Sequence, residues 1–289
     1  MPTAPLWLKL TVAASPPVRE ALAALLVEWG AGGTVQEPHG VVAYFRPEAR
    51  EGLEAHLARL AADARTSGEP DPTWRWEGIE EEDWWESWKI HFRPTRVSAR
   101  LAVCPSWEEA RWDPGDPRVR VIRMDPGRAF GTGTHETTRL CLRLLDECLA
   151  AEPAASLLDV GSGSGILSIG ARLLGVPTAV AVDVDPIASE ATRDNAERAG
   201  VGGILTVCGD LRAIRGRYDL VVANILYQVL LGLAPGIAAR TAPGGRLLLS
   251  GMLVPELPSA EAVYGRLGLT SERREVDGEW GAVLFRKHA

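Results

Sequence analysis

Leu158-Asp159-Val160-Gly161-Ser162-Gly163-Ser164-Gly165 leaves a short apolar run that begins at Ser156 and opens a segment of helical spacing from Gly165 to about Leu174. The pattern is strand, glycine turn, helix. Glycines allow positive φ and let a ligand approach the main chain closely. In an open α/β sheet such a turn lies at the carboxyl end of a strand, the usual ligand-binding edge. Two phosphate-binding readings fail on spacing. The dinucleotide fingerprint needs a third glycine at position 166, where Ile166 stands, and no Gly-Lys-Ser/Thr follows as a P-loop requires. Asp159, two residues before the first glycine, is a poor neighbour for a pyrophosphate. It suits a ligand that carries an ammonium and a sulfonium.

Downstream, apolar strands alternate with helices. Thr178–Asp183 is a strand ending in Asp183, 22 residues after Gly161. A carboxylate there can accept two hydrogen bonds from ribose hydroxyls, which by itself does not separate a nicotinamide nucleotide from an adenosyl ligand. Asp185 is the better helix cap, with Pro186 in the first turn and Gly200 as the stop. Leu205–Cys208, Tyr218–Asn224 and Arg246–Ser250 read as further strands, with a helix around Gln228–Arg240. Their near absence of polar residues predicts a parallel sheet covered on both faces. Leu269–Val276 and Glu279–Arg286 flank Asp277-Gly278, a hairpin signal, so the sheet should end in an antiparallel pair.

Asn224-Ile225-Leu226-Tyr227 stops a buried strand on an amide. An Asn oxygen with a nearby backbone carbonyl can accept hydrogen bonds from an amine and aim its lone pair, which is catalysis by orientation. Between Asp125 and Thr138 a stretch rich in glycine and hydroxyls, with Phe130, precedes a helix and predicts a loop able to fold over a ligand. His135 within it invites a general-base reading; a structural role is the favoured one.

The first half differs in composition. Of ten tryptophans, only Trp280 lies beyond Trp112. Leu6, Leu8, Leu10 and Val12 alternate as a half-buried strand, and a helix follows from Ser15 to Gly30. Strands at Gly33–Gln36 and Val41–Phe45, a helix over Pro47–Arg65 and a strand at Thr73–Trp76 complete a β-α-β-β-α-β order, which predicts a small ferredoxin-like domain. Glu80–Phe92 reads as a connecting helix, Leu101–Cys104 and Arg118–Arg123 as short strands, and Glu109–Asp116 as an exposed loop. The expected division is a substrate-recognition domain at 1–76, a linker helix and connecting strands at 77–124 and a ligand-binding α/β domain at 125–289.

A net charge of −7 argues against direct nucleic-acid binding and suits a basic protein partner. Cys104, Cys141, Cys148 and Cys208 form no C-x-x-C pair and have no histidines beside them, so neither disulfides nor a metal site is expected. No apolar run approaches the length of a membrane span and no signal peptide is visible, which places the expected protein in the cytoplasm, off the membrane.

The Asp159-x-Gly161-x-Gly163-x-Gly165 pattern with Asp183 resembles the seven-stranded, Rossmann-like S-adenosylmethionine methyltransferases, and Asn224-Ile225-Leu226-Tyr227 resembles the amine-orienting segment of those that act on amino groups. Together with Ala129-Phe130-Gly131-Thr132-Gly133-Thr134-His135-Glu136-Thr137-Thr138, Val182-Asp183-Val184-Asp185-Pro186 and the Asp83-Trp84…Trp88-Lys89 segment, the chain is similar over nearly its whole length to the PrmA family of ribosomal-protein methyltransferases. Ser162 departs from the Cys or Thr common there. The resemblance implies that Thr138, Gly161, Gly163, Asp183 and Asn224 contact S-adenosylmethionine, that Phe130 covers it, and that Asn224 is the catalytic residue. It further implies that the first domain grips a ribosomal protein, and that lysine ε-amines and an N-terminal α-amine receive the methyl groups. Three rival readings remain at this point: an amino methyltransferase of ribosomal RNA, a non-catalytic cofactor-binding adaptor, and a nicotinamide oxidoreductase.

Overall fold

The computed structural model describes residues 7–14, 19, 22–23, 25–27, 29–31, 33–37, 39–66, 72–79, 93–108, 112–125, 133 and 135–288. The chain divides into two compact units, Met1–His91 and Phe92–Ala289.

In the first unit, β1 (Trp7–Ala13), β2 (Gly33–Glu37), β3 (Gly40–Phe45) and β4 (Trp74–Ile79) form one antiparallel sheet in the order β2-β3-β1-β4. The alternation along β1 turns Leu8, Leu10 and Val12 inward. Leu10 and Val12 share a core with Leu53 and Leu57 of α1 (Arg50–Thr66) and with Leu22 and Leu26. Residues 22–23 and 25–27 are helical, within the helix expected over Ser15–Gly30. Pro47–Ala49 forms a 3-10 turn ahead of α1, because proline fits a helix start but cannot donate within one. The connecting helix expected over Glu80–Phe92 lies outside the described residues.

The second unit contains a seven-stranded sheet in the order β10-β9-β8-β11-β12-β14-β13. Its strands are β8 (Ser156–Val160), β9 (Thr178–Asp183), β10 (Ile204–Cys208), β11 (Tyr218–Asn224), β12 (Thr241–Leu253), β13 (Leu269–Asp277) and β14 (Trp280–Lys287). The pairs from β10 to β12 are parallel; β14 runs antiparallel to both β12 and β13. Alternate residues feed two cores. Leu157, Leu220, Val222 and Leu248 pack under α2 (Glu136–Ala151) and α3 (Ile166–Leu173). Leu158, Val221, Leu247 and Phe285 pack under α5 (Tyr227–Arg240) and α6 (Leu257–Arg266). Full burial of each large aliphatic chain contributes about 1.5–3 kcal/mol, so this two-sided burial dominates the unit's stability. α4 (Pro186–Arg198) is capped by Asp185, whose carboxylate accepts from the Ile187 N–H at 2.9 Å. No helix among the described residues is long and apolar enough to cross a membrane.

Two expectations need correction and one is sharpened. Within the linker helix and connecting strands expected at 77–124, the described residues from 93 onward pack into the second unit. β5 (Thr95–Arg96), β6 (Leu101–Cys104) and β7 (Arg120–Arg123) form a small sheet, and Val97, Leu101, Val103, Ile122 and Met124 belong to the core beneath α2 and α3. Arg100 locks it there, its Nε donating to Asp146 Oδ1 of α2 at 2.6 Å. The terminal hairpin turns on Gly278-Glu279 rather than Asp277-Gly278, since Asp277 pairs with Trp280. Gly278 takes φ +61° and no non-glycine described residue has positive φ, which favours a turn with glycine first over the Asp-Gly type. β12 extends well beyond Arg246–Ser250 at both ends.

Candidate active site

The glycine turn after β8 is held from two sides, by β9 and by α4. Gly161, Gly163 and Gly165 adopt φ of +72°, +53° and +80°, a region side chains resist. The Gly161 N–H donates to Val182 O at 2.8 Å, tying the turn to β9. From behind, Thr192 Oγ1 donates to Gly163 O at 3.0 Å and Asn195 Nδ2 to Ser164 O at 2.9 Å, both from the buried face of α4. Gly165 is also a packing requirement, since a Cβ there would lie 2.8 Å from Thr192 Cγ2.

Asp183 ends β9 beside this turn. Its Oδ2 accepts from the Gly163 N–H at 2.9 Å and its Oδ1 from the Asp185 N–H at 3.0 Å. Each oxygen keeps lone-pair capacity while the carboxylate is fixed in direction. Capping of α4 falls to Asp185, which leaves Asp183 facing the ligand edge.

A cavity of about 670 Å³ opens at the carboxyl edge of the sheet, within the range of small-molecule sites. Gly161, Gly163, Asp183 and Asn224 all line it. Asn224 is 9% exposed; its Nδ2 donates to Thr138 Oγ1 at 3.5 Å, and its Oδ1 is buried with no hydrogen-bond partner. Thr138 is fully buried at the start of α2 and is not part of the cavity wall. Its hydroxyl supports Asn224 from behind. Phe130 lies outside the described residues.

His135 caps α2: its Nδ1 accepts from the Thr137 N–H at 3.3 Å, and its ring meets that of Trp280 edge-on, centroids 5.1 Å apart. These contacts give the structural role favoured from sequence a physical form.

Asp159 does not face the cavity, contrary to the charge argument made from its position. Its Oδ2 accepts from the Ser168 N–H at 3.1 Å and from Ser168 Oγ at 2.8 Å, while Oδ1 has no partner. Burial pushes its pKa up to about 7, against the lowering effect of the two Ser168 bonds, with a smaller upward push from Asp183.

Among the wall residues that sequence reasoning missed are Asp210, Trp280 and Gly251. Asp210 follows β10 much as Asp183 ends β9, so the same strand-end rule would have found it. Trp280 was legible as the lone tryptophan of the second half, placed at a hairpin. Gly251 carried no signal, because its need arises from a contact across strands.

Comparison with known proteins agrees with this geometry. The family profile described as Ribosomal protein L11 methyltransferase (PrmA) matches residues 6–288. A ribosomal protein L11 methyltransferase of Pelotomaculum thermopropionicum is 38% identical over 98% of this chain and 99% of its own length. One from Symbiobacterium thermophilum is 45% identical over 76% of this chain and 70% of its own. The crystal structure of a ribosomal protein L11 methylase from Lactobacillus delbrueckii subsp. bulgaricus superposes with a TM-score of 0.62 at 33% identity, covering 68% of this chain and all of that one. A match of this length at this identity, on a chain with a glycine cradle and a buried amide oxygen without a partner, places it in the ribosomal protein L11 methyltransferase (PrmA) family.

Proposed function

We propose that this protein transfers methyl groups from S-adenosylmethionine to lysine ε-amines, and to the N-terminal α-amine, of the ribosomal protein L11. The observation that carries the reading is the Asn224 Oδ1: a buried acceptor without a partner, in the wall of the cavity that Asp183 and the glycine turn also line. A buried polar atom left bare costs about 1–3 kcal/mol, and a donor brought by a ligand relieves it.

The residues present fit the cofactor. The side-chain-free edge at Gly161 and Gly163 admits close main-chain approach, Asp183 receives ribose hydroxyls, and Asp210 is placed to accept from an exocyclic ring amine. Phe130 is assigned to the covering loop on the family resemblance alone. When bound, the cofactor supplies an electrophilic methyl on a sulfonium.

The protein then has two tasks. The first is to favour the neutral amine. A lysine with a pKa of about 10.4 costs roughly 4 kcal/mol to deprotonate near pH 7. A largely apolar wall, with Val160, Val182 and Leu211 among its residues, disfavours the ammonium and reduces that cost. The second is orientation. Asn224 Oδ1 accepts an amine N–H while Thr138 holds the amide in place, so the nitrogen lone pair is aimed at the methyl. Solvent takes the proton.

We assign the second unit as a seven-stranded Rossmann-like methyltransferase domain, supported by its parallel core and antiparallel end. The first unit is a ferredoxin-like substrate reader, supported by its antiparallel β2-β3-β1-β4 order. The site of action is the cytoplasm, where a ribosomal protein is met free or before assembly.

The test is label transfer from methyl-labelled S-adenosylmethionine to purified L11 and, separately, to ribosomal RNA, with mass spectrometry of the modified residues. Label on lysines and the N-terminus of the protein is expected. Label on RNA alone would defeat the proposal, and the net charge of −7 disfavours that result.

A further inference from the structure

The strand β12 carries an irregularity beside the amine-binding edge. Its pairing with β14 runs Leu249↔Val283 and then Met252↔Gly281, so Ser250 and Gly251 oppose the single residue Ala282. This is a β-bulge, a device that re-aims a strand. On its other side β12 pairs with β11, and there Ser250 stands opposite Asn224. The bulge therefore lies against the residue with the open acceptor.

Gly251 has φ +87° and lines the cavity. A Cβ on it would lie 2.2 Å from Ile225 O, 2.7 Å from Ile225 C and 3.0 Å from Ile225 N. All three are backbone atoms, so no side-chain rotation relieves the contact. On the other flank of the same residue, a Cβ on Gly161 would lie 2.3 Å from Ile225 Cγ2. Ile225 is thus wedged between the cofactor turn and the bulge, with its main chain against one glycine and its side chain against the other. The bulge is itself pinned: Ser250 Oγ donates to Gly281 O at 2.9 Å, one residue beyond Trp280.

We infer that Gly251 is a positioning residue for methyl transfer, seating the Asn224–Ile225 peptide at the distance from the Gly161 turn that the reaction needs. This rests on the functional reading above. Adding one Cβ must push Ile225 by about 1 Å, and misplacement of that size costs about 100-fold in rate when orientation drives the step. The cofactor contacts at Gly163, in the turn after β8, and at Asp183, at the end of β9, lie away from the bulge.

The experiment uses the full chain carrying Gly251→Ala, with Ile225→Ala as a second variant that shortens a side chain without disturbing the bulge. Calorimetry with S-adenosylhomocysteine reports the cofactor site; steady-state transfer to L11 separates kcat from KM. For Gly251→Ala the expected result is a kcat lowered about 100-fold, with cofactor Kd and substrate KM within about threefold of the parent. For Ile225→Ala a kcat loss of about tenfold with the same unchanged Kd is expected. Full turnover by Gly251→Ala, or parallel loss of cofactor affinity and rate, overturns the inference, since the latter marks a merely structural glycine. If Gly251→Ala does not fold, Ile225→Ala decides: an unchanged kcat overturns the wedge. Absence of transfer by the parent chain overturns the functional reading itself, and is thereby distinguishable from a failure of the glycine's role alone.

Discussion

Two neighbouring strand ends each bury an oxygen without a hydrogen-bond partner, and the contrast between them separates what this molecule keeps for stability from what it keeps for chemistry. Asp159 on β8 and Asn224 on β11 lie on adjacent strands, with Asp159 in register with Val222, two residues before Asn224. Asp159 turns into the core toward Ser168, whereas Asn224 meets the cavity. Both conditions are costly. Asp159 relieves its cost from within, by holding a proton up to about pH 7. Asn224 has no such recourse, since an amide does not titrate; in the proposed reaction the substrate amine supplies the donor. A bare neutral acceptor buried in a residue that lines a ligand-sized cavity is what a binding function leaves unpaired.

The sharpest way to break the comparison is to delete the open acceptor. Asn224→Ala is expected to lower kcat by about 1000-fold, roughly 4 kcal/mol, because orientation of the amine is lost. Affinity for S-adenosylhomocysteine should stay within a few-fold, as Gly163 and Asp183 retain their bonds. Calorimetry alongside single-turnover transfer to L11 checks both. Full turnover would show that the bare oxygen is incidental.

The second test addresses Asp159. Its carboxyl has a pKa of about 7 in the folded chain against an ordinary 3.8. The native form therefore holds a proton that the unfolded chain has already released between about pH 4 and pH 7, and stability falls as pH rises through that window. The loss should be on the order of 4 kcal/mol and complete by about pH 8. Asp159→Asn keeps an acceptor for Ser168 and cannot ionise, so its denaturation midpoint should vary less over the same range. Equal pH dependence in both proteins would show that the charge on Asp159 is matched by something other than a proton.

Asp183 sharpens the contrast from the opposite side, as a strand-end acid with both oxygens engaged by backbone N–H groups. Asp183→Ala should weaken S-adenosylhomocysteine binding about 100-fold, near 2.7 kcal/mol, through loss of charge-assisted bonds and loosening of the glycine turn. At saturating cofactor the kcat should fall less than tenfold. A large kcat effect at saturation would mean that Asp183 also aligns the methyl.

The part of this site legible in sequence is the part built by local chain. Gly161, Gly163, Asp183 and Asn224 each sit at the end of an apolar strand, and the order of strands alone brings such ends to one edge. The capping role of Asp185 was legible for the same reason. What could not be read depends on register between distant strands. The orientation of Asp159 follows from which face of β8 it occupies, and its place two residues before the first glycine suggested the wrong one. Gly251 matters only because a bulge sets it against Ile225. The strands of the β5, β6 and β7 sheet read as mere connections because each is short. The sheet's burial comes from α3, where a Cβ on Gly170 would touch Leu142, Ile122 and Leu101 within 3.5 Å. The turn at Gly278-Glu279 was misplaced by one residue because Asp-Gly and Gly-Glu both satisfy hairpin rules, and the pairing of Asp277 with Trp280 decides between them.

That one-residue shift yields the smallest prediction and a baseline for the others, since it leaves Asp277 on the strand as an acceptor that water can reach. Asp277 Oδ2 accepts from Arg139 Nη2 of α2 at 2.9 Å, with the two side chains 31% and 30% exposed. Arg143 approaches the same oxygen at 3.9 Å. The pair joins the hairpin that carries Trp280 to the helix that His135 caps, so it could be a clamp on the cavity wall or an ordinary surface bridge. Partly exposed pairs contribute about 0–1 kcal/mol, because water replaces the lost partner and salt screens the attraction. Asp277→Asn should therefore lower stability by less than about 1 kcal/mol, with the difference shrinking at high salt, and leave S-adenosylhomocysteine affinity within about twofold. Urea denaturation at low and high ionic strength, with calorimetry on the same samples, measures both. A cofactor affinity that falls tenfold while stability holds would make the hairpin clamp part of the binding site, and an oxygen exposed to water would then matter as much as one kept bare inside.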